Sequence, residues 1–149
     1  MDPLRTANLL LEPLTSADYK WVIGLYADAE VGYWMVLDGA SREPVGGAML
    51  MVRKPGSKVE LGFALARAAW GRGIATEAAR ALIDHAFEAL GIPEIEAFTH
   101  PDNAPSGAVL RKAGMVDRGL ATGPYGDVDR RYAITREEWR SARPPRRHD

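Results

Sequence analysis

The chain has 149 residues, a formal net charge of −1 at pH 7 and a hydrophobic content of 46%. This length is typical of one domain, and the near balance of charge argues against a general affinity for nucleic acid. The absence of cysteine excludes disulfides, thiolate metal sites and a cysteine nucleophile. The sequence shows no apolar run of roughly 18 residues and no leader peptide, so we expect a cytoplasmic protein without a membrane partner.

The first half of the sequence predicts one strand, one helix and a run of antiparallel strands. A short apolar run at residues 8–12 favours a strand. An approximate capping box then precedes apolar residues at helical spacing, which predicts a helix over residues 16–28. Three further segments are apolar or aromatic and are separated by turn residues, which predicts strands at 33–37, 45–52 and 59–65.

The second half predicts two helices and three strands. Apolar residues recur at helical spacing over 75–90, and Gly91 is typical of a residue that ends a helix. Asn103 is a typical N-cap for a second helix, which ends at Gly114. Strands are expected at 95–99, 115–120 and 132–135. Consecutive strands mixed with helices indicate an α+β fold, with a single domain over 1–139 and a flexible Arg- and Pro-rich tail over 140–149.

A glycine-rich turn joins the strand at 59–65 to the long helix. Gly71 and Gly73 carry no side chain, so a ligand can come close to the backbone there. The helix that follows offers unpaired N–H groups and the positive end of its dipole. This combination favours an anion such as pyrophosphate, and Arg72 would add a charge-assisted contact.

Several kinds of site fit such a turn. A Walker A loop is excluded because no Gly-Lys-Ser/Thr follows. A dinucleotide site is disfavoured because Thr76 stands where that pattern has Gly or Ala, and Glu94, at about the expected 20-residue spacing, precedes the apolar part of its strand. From the residues alone, an acyl-CoA pyrophosphate site and a tight turn that binds nothing both remain open.

The residues around this turn resemble a known family. Glu60 to Phe63 followed by Trp70 to Ala78 is similar to the core motif of the GCN5-related N-acetyltransferases (GNAT), and looks most like their RimJ/RimL-like branch. The residues at 95–115 resemble the next strand and helix of that branch. The resemblance covers about residues 6–139 and implies a GNAT-type mixed, mostly antiparallel central sheet flanked by helices. It also implies that two parallel strands, ending near Leu65 and Thr99, splay apart to form a CoA cleft.

The resemblance implies an acetyl-CoA-dependent N-acetyltransferase that uses no metal. The acetyl group would pass directly from the thioester to a primary amine, on a protein N-terminus or a small molecule. The residues that would hold acetyl-CoA are Phe63, Ala64, Leu65, Trp70, Gly71, Arg72, Gly73, Ile74, Ala75, Thr76, Asn103 and Ser106. Among them, backbone amides of 71–76 would hold the pyrophosphate and the edge at 63–65 would bind the pantetheine arm. Asn103 would contact that arm, with Ser106 nearby.

Three side chains are candidates for the chemistry. The acceptor amine must be neutral, and a lysine-like amine with an ordinary pKa of about 10.4 needs a base more than an α-amine does. Glu60 is the first candidate base, and the alternative is that it is a solvated carboxylate on a strand. His100 is the second candidate base, and the alternative is that it is a turn residue bonded to backbone. Tyr125 is the candidate acid that would protonate the leaving thiolate, with an exposed turn residue as the alternative. A backbone N–H near Phe63 or Leu65 would polarise the thioester carbonyl.

One departure from the family lies on the acceptor side. Many relatives carry a second helix and a longer loop where this chain passes from Asp28 almost directly into the strand at Tyr33. The alternative to an enzyme is therefore a non-catalytic acyl-CoA-binding or regulatory module, and a homodimer could complete the shortened pocket. The arginines at 140–147 are expected to be solvated rather than to bind RNA, and His85 is expected to face solvent.

Overall fold

The computed structural model describes residues 2–14, 32–52 and 58–142. Within these ranges the chain forms strands β1 (Leu4–Arg5), β2 (Leu9–Pro13), β3 (Gly32–Asp38), β4 (Pro44–Met51), β5 (Val59–Leu65), β6 (Glu94–Thr99), β7 (Val116–Thr122) and β8 (Val128–Thr135). It also forms a short 3₁₀ helix, Arg67–Ala69, and helices α1 (Ile74–Glu88), α2 (Ala104–Lys112) and α3 (Arg136–Ala142). The strands make one mixed sheet in the order β1-β2-β3-β4-β5-β6-β8-β7, which confirms the predicted fold class.

The predicted elements of the described residues are all present. β5 has the predicted bounds, whereas β8 begins earlier than residue 132, at Val128. The prediction missed this start because the charged residues 129–131 interrupt the apolar pattern that indicates a strand. The segment nonetheless pairs with β7 on one side and with β6 on the other. The predicted helix over 16–28 lies outside the described residues, and so do most of the turn residues expected between the strands at 45–52 and 59–65.

Helix α3 was not predicted, and it extends into the segment assigned to the tail. A mostly polar segment of seven residues is too short to show a recognisable helical period. The helix therefore depends on tertiary contacts for its stability. The guanidinium of Arg136 donates to the carbonyl oxygens of Phe87 and Ile92, each at 2.9 Å. The indole N–H of Trp139 donates to Asp84 at 2.8 Å. Residues 140–142 are therefore helical, and residues 143–149 lie outside the described part of the chain.

The core lies between one face of the sheet and α1. Alternation along β5 buries Leu61 in this core and packs Val59, Phe63 and Leu65 against it, as predicted. The side of α1 that faces the sheet consists of Ile74, Ala78, Ala79, Leu82, Ile83, Ala86 and Phe87. Its alanines let the helix axis approach the strands closely, which brings the beginning of α1 next to the end of β5.

His85 corrects an expectation, since it is partly buried rather than fully solvated. It is half-buried and meets the fully buried ring of Trp34 edge-on, with 5.6 Å between the ring centroids. The large indole of Trp34 extends beyond the buried side of α1 and therefore contacts His85, which lies next to that side. Burial lowers the pKa of His85.

The parallel pair at the centre of the sheet separates after two residues. β5 and β6 are in register only at Val59 with Ile95 and at Glu60 with Glu96. Beyond that point β5 pairs only with β4, and β6 only with β8. This confirms the predicted splay, which leaves a gap between the carboxyl ends of the two strands. Among the described residues, no helix is both long and apolar enough to cross a membrane.

Candidate active site

The glycine-rich turn ends at a helix start with unpaired donors. Gly71 and Gly73 have φ values of 76° and 74°, a left-handed conformation that strongly favours glycine. Gly73 is the N-cap of α1 and supplies no side-chain acceptor. Within the described part of the chain, no acceptor takes the N–H groups of residues 74–76, and a Cβ at either glycine would meet nothing within 4 Å. These open donors form an anion-binding geometry.

A cleft of about 660 Å³ lies in front of these donors, between β5, the first turn of α1 and one face of α2. All but one of the residues predicted to hold acetyl-CoA line it. The exception is Arg72, whose guanidinium turns away to lie 3.9 Å from the Asp38 carboxylate, in a neighbouring groove. A ligand in the cleft would therefore not meet the charge of Arg72 in this arrangement.

The wall at β5 presents backbone groups to the gap. The N–H of Ala66 donates to the Val45 carbonyl on the β4 side, so alternation directs the N–H and C=O of Phe63 and Leu65 away from β4. The Leu65 carbonyl is used within the chain, because the indole N–H of Trp70 donates to it at 3.1 Å. Trp70 thus ties the turn to the end of β5, and its ring is 61% exposed at the cleft mouth.

The opposite wall is one face of α2 with its N-cap. Asn103 is its N-cap, as predicted, and the Asn103 Oδ1 accepts from the backbone N–H of Ser106 at 3.2 Å. Sequence reasoning missed four other lining residues of this helix, Pro105, Ala108, Val109 and Lys112. Val109 and Lys112 could have been found from helical spacing, since Val109 lies three positions after Ser106 and Lys112 three positions after Val109.

The three catalytic candidates lie at different places. Glu60 is 8% exposed, so the alternative of a solvated carboxylate is wrong, and it lies where β5 and β6 begin to diverge. His100 follows β6, is exposed, and its Nδ1 accepts from the backbone N–H of Asp102 at 3.2 Å. Tyr125 lies at the tip of the β7–β8 hairpin and is 71% exposed. None of the three side chains lines the cleft, although Glu60 lies on the same strand as the lining residues Phe63–Leu65.

The family follows from comparison with known proteins. The model of the family described as an acetyltransferase (GNAT) domain matches residues 12–116. The chain belongs to the GNAT acetyltransferase family. The matched range includes the glycine-rich turn, both walls of the cleft and Glu60, so the predicted N-acetyltransferase domain, whose acyl donor is acetyl-CoA, is confirmed at the level of the family.

Named relatives agree with this assignment. The chain is 37% identical over 70 residues to an uncharacterized N-acetyltransferase p20 of Bacillus licheniformis, covering 47% of this chain and 39% of that protein. It is 36% identical over 95 residues to an FsC-acetyl coenzyme A-N(2)-transacetylase of Aspergillus fumigatus, covering 59% and 40%. Each match therefore spans about two fifths of the curated relative. A crystal structure of an acetyltransferase from Agrobacterium tumefaciens superposes with a TM-score of 0.75 at 27% identity, covering 90% of this chain and 94% of that one.

A charged cluster adjoins Glu60 in this GNAT domain, on the sheet face opposite the core. Glu96 is in register with Glu60, and the Arg131 guanidinium binds Glu96 at 3.0 Å and Glu94 at 2.9 Å. A hydrogen bond from Lys58, at 2.8 Å, is the main cause that holds the pKa of Glu94 below its ordinary value. The carboxylates beside Glu60 are thus already paired with cations. Among the described residues, no cluster of three His, Asp or Glu side chains has the geometry of a metal site.

Glu77 fixes the first turn of α1 to the turn between β1 and β2. Its carboxylate accepts from the Thr6 hydroxyl and, at 2.9 Å each, from the backbone and side-chain N–H groups of Asn8. Partial burial alone would raise the pKa of Glu77, but these hydrogen bonds outweigh it and the pKa is lowered from 4.5. The clamp holds the helix start, and therefore the open donors of residues 74–76, at the edge of the cleft.

We expect Glu77→Gln to destabilise the domain at pH 7 by about 1 kcal/mol, because neutral hydrogen bonds replace charge-assisted ones. A depressed carboxyl pKa contributes stability that is present above the unfolded pKa and is lost as the pH falls through the folded pKa. The difference between wild type and variant should therefore shrink below about pH 4.5. Urea unfolding at several pH values measures this, with Glu137→Gln in the first turn of α3 as the exposed control. If the difference in free energy of unfolding between wild type and Glu77→Gln does not vary with pH, the charge of Glu77 does not stabilise the domain.

Proposed function

We propose that this GNAT chain transfers an acetyl group directly from acetyl-CoA to a primary amine, on a protein N-terminus or a small molecule. One observation carries the proposal: a single cleft joins the unpaired N–H groups at the start of α1 to the exposed backbone edge of β5. Glu60 is buried farther along that edge, at the closed end of the gap. The RimJ/RimL-like branch, the cytoplasmic location and a homodimer stay predictions.

The donor would bind along the two walls of the cleft. The N–H groups of residues 71–76 hold the pyrophosphate, where the helix dipole favours negative charge. The pantetheine arm then runs beside Phe63–Leu65 like an added strand and takes the backbone groups that β6 leaves unpaired. The Asn103 side chain contacts the arm from α2. Its Oδ1 is already used as the helix cap, so its amide N–H groups are the ones that donate.

The reaction would follow at the closed end of the gap. Glu60 accepts a proton from the acceptor ammonium through a water, and the neutral amine attacks the thioester carbonyl carbon. The N–H of Phe63 or Leu65 stabilises the oxyanion that forms. This attack forms the C–N bond, and collapse of the tetrahedral intermediate then restores the carbonyl and breaks the C–S bond. Tyr125 protonates the leaving thiolate and is reprotonated, through water, by the proton that the new amide nitrogen releases, while Glu60 returns its proton to solvent. Glu60 is preferred to His100 as base because Glu60 is buried on β5, the strand whose edge forms a wall of the cleft, whereas the His100 ring is exposed and accepts from backbone.

An amine panel tests this function. The wild-type chain is mixed with acetyl-CoA and peptides with free N-termini, lysine peptides, amino acids, polyamines and aminoglycosides, and both thiol release and acetylated product are measured. We expect at least one amine to give product in a one-to-one ratio with free CoA. Tight CoA binding with no turnover on any amine would favour the non-catalytic module. Calorimetry that detects NAD binding but no CoA binding would contradict the proposal altogether.

A further inference from the structure

Lys112 is the one charged side chain among the described residues that line the cleft. Every other residue of the lining is apolar, a glycine or a neutral polar residue. Lys112 is also exposed, and among the described residues its ammonium has no carboxylate within ion-pair distance. A lone cation in a neutral wall indicates that the ligand of this cleft carries negative charge close to the end of α2.

The position of Lys112 is fixed by its backbone. Arg80 of α1 donates from its Nε to the Lys112 carbonyl oxygen at 3.1 Å, which holds the last turn of α2 against α1. The Arg80 guanidinium therefore lies next to the Lys112 main chain. Arg80 and Lys112 both line the groove where α1 and α2 come together.

The cleft continues past Lys112 into a second groove of about 790 Å³, with which it shares Gly73, Thr76 and Lys112. The groove is lined by the acidic residues Glu77, Asp84 and Glu88 and by the basic residues Arg5, Arg80 and Lys112. Two of these carboxylates are engaged within the chain, since Glu77 accepts from Thr6 and Asn8, and Asp84 accepts from the Trp139 indole. Arg80 and Lys112 are the basic residues of the groove at the end of α2, where it adjoins the cleft.

We propose that Lys112, with Arg80 beside it, binds the 3′-phosphate of the CoA adenosine where the nucleotide passes from the cleft into this groove. The inference rests on the proposed function, since it takes CoA as the ligand. With the pyrophosphate at residues 71–76, the 3′-phosphate is the remaining anionic group of CoA. Lys112 shares its section of the cleft with Gly73 and Thr76, so it lies within reach of the nucleotide that follows the pyrophosphate.

Comparison of CoA with 3′-dephospho-CoA tests this assignment. Calorimetric titrations would use wild type, Lys112→Met, Lys112→Arg and, as the charge-loss control, Arg140→Met on α3. Wild type should bind CoA about tenfold more tightly than 3′-dephospho-CoA, since one charge-assisted contact at an exposed site corresponds to about that ratio. Lys112→Met should lower the affinity for CoA about tenfold and change that for 3′-dephospho-CoA less than twofold. Lys112→Arg should keep most of the preference, and Arg140→Met all of it.

The possible failures are distinguishable. Lys112→Met could lower the affinities for CoA and 3′-dephospho-CoA equally, or could change neither affinity. In both cases the 3′-phosphate does not contact Lys112 and the inference is wrong, although CoA still occupies the cleft. If wild type binds neither ligand, the proposed function itself fails. The preference of wild type for CoA should also decrease as salt is raised from 50 to about 500 mM, because exposed charges are screened.

Discussion

Ala75→Glu is expected to lower the affinity for CoA by about a hundredfold and to leave the free energy of unfolding unchanged or slightly higher. Ala75 lines the cleft in the first turn of α1, beside the donors assigned to the pyrophosphate. A carboxylate about 5 Å from one phosphate charge costs roughly 3 kcal/mol at the effective dielectric constant of a protein surface. The same carboxylate in the first turn of a helix is favourable to the helix dipole. Binding and stability should therefore change in opposite directions.

The matched control is Ala75→Gln, which adds the same bulk without the charge. Calorimetry with CoA and urea unfolding should show a loss of affinity in the glutamate variant that far exceeds the loss in the glutamine variant. Equal losses would mean that bulk alone interferes, and unchanged affinity in both would refute the assignment of residues 71–76 to the pyrophosphate. Gly73→Val is a poorer test, because a β-branched residue at φ 74° is strained whether or not a ligand binds.

Glu60→Gln is expected to lower kcat by about a hundredfold and to change the Kd for CoA less than twofold, since general-base catalysis contributes roughly 10²–10⁴ in rate. Glutamine has the shape of glutamate, so it can occupy the same buried position without accepting the amine proton. The decrease in rate toward low pH that depends on this carboxylate should disappear. Steady-state kinetics on the best amine of the panel, together with CoA titration, separate the two effects.

Glu96→Gln is the matched carboxylate control for Glu60. It is in register with Glu60 on the next strand, but the Arg131 guanidinium binds it. We expect it to change kcat less than threefold. Loss of thermal stability in Glu60→Gln would point to a structural role, and an unaltered pH–rate profile in a folded variant would remove Glu60 as the base.

Local patterns predicted most of the described fold. The bounds of β5 and the cap at Asn103 were correct because alternation and side-chain capping act over a few neighbouring residues. Helix α3 was missed because contacts of Arg136 and Trp139 with distant parts of α1 stabilise it, not its own periodicity. The same distinction holds in the candidate site.

The sequence by itself determined the glycine-rich turn, the helix that follows it and the family to which they belong. These features depend on backbone freedom at Gly71 and Gly73 and on the period of α1, both of which are properties of adjacent residues. Only the tertiary structure decided the directions of the charges. Arg72 turns toward Asp38, Glu60 is buried where two strands separate, and Lys112 joins the cleft wall. The physical reason is that a side chain's partners and exposure depend on which segments pack beside it.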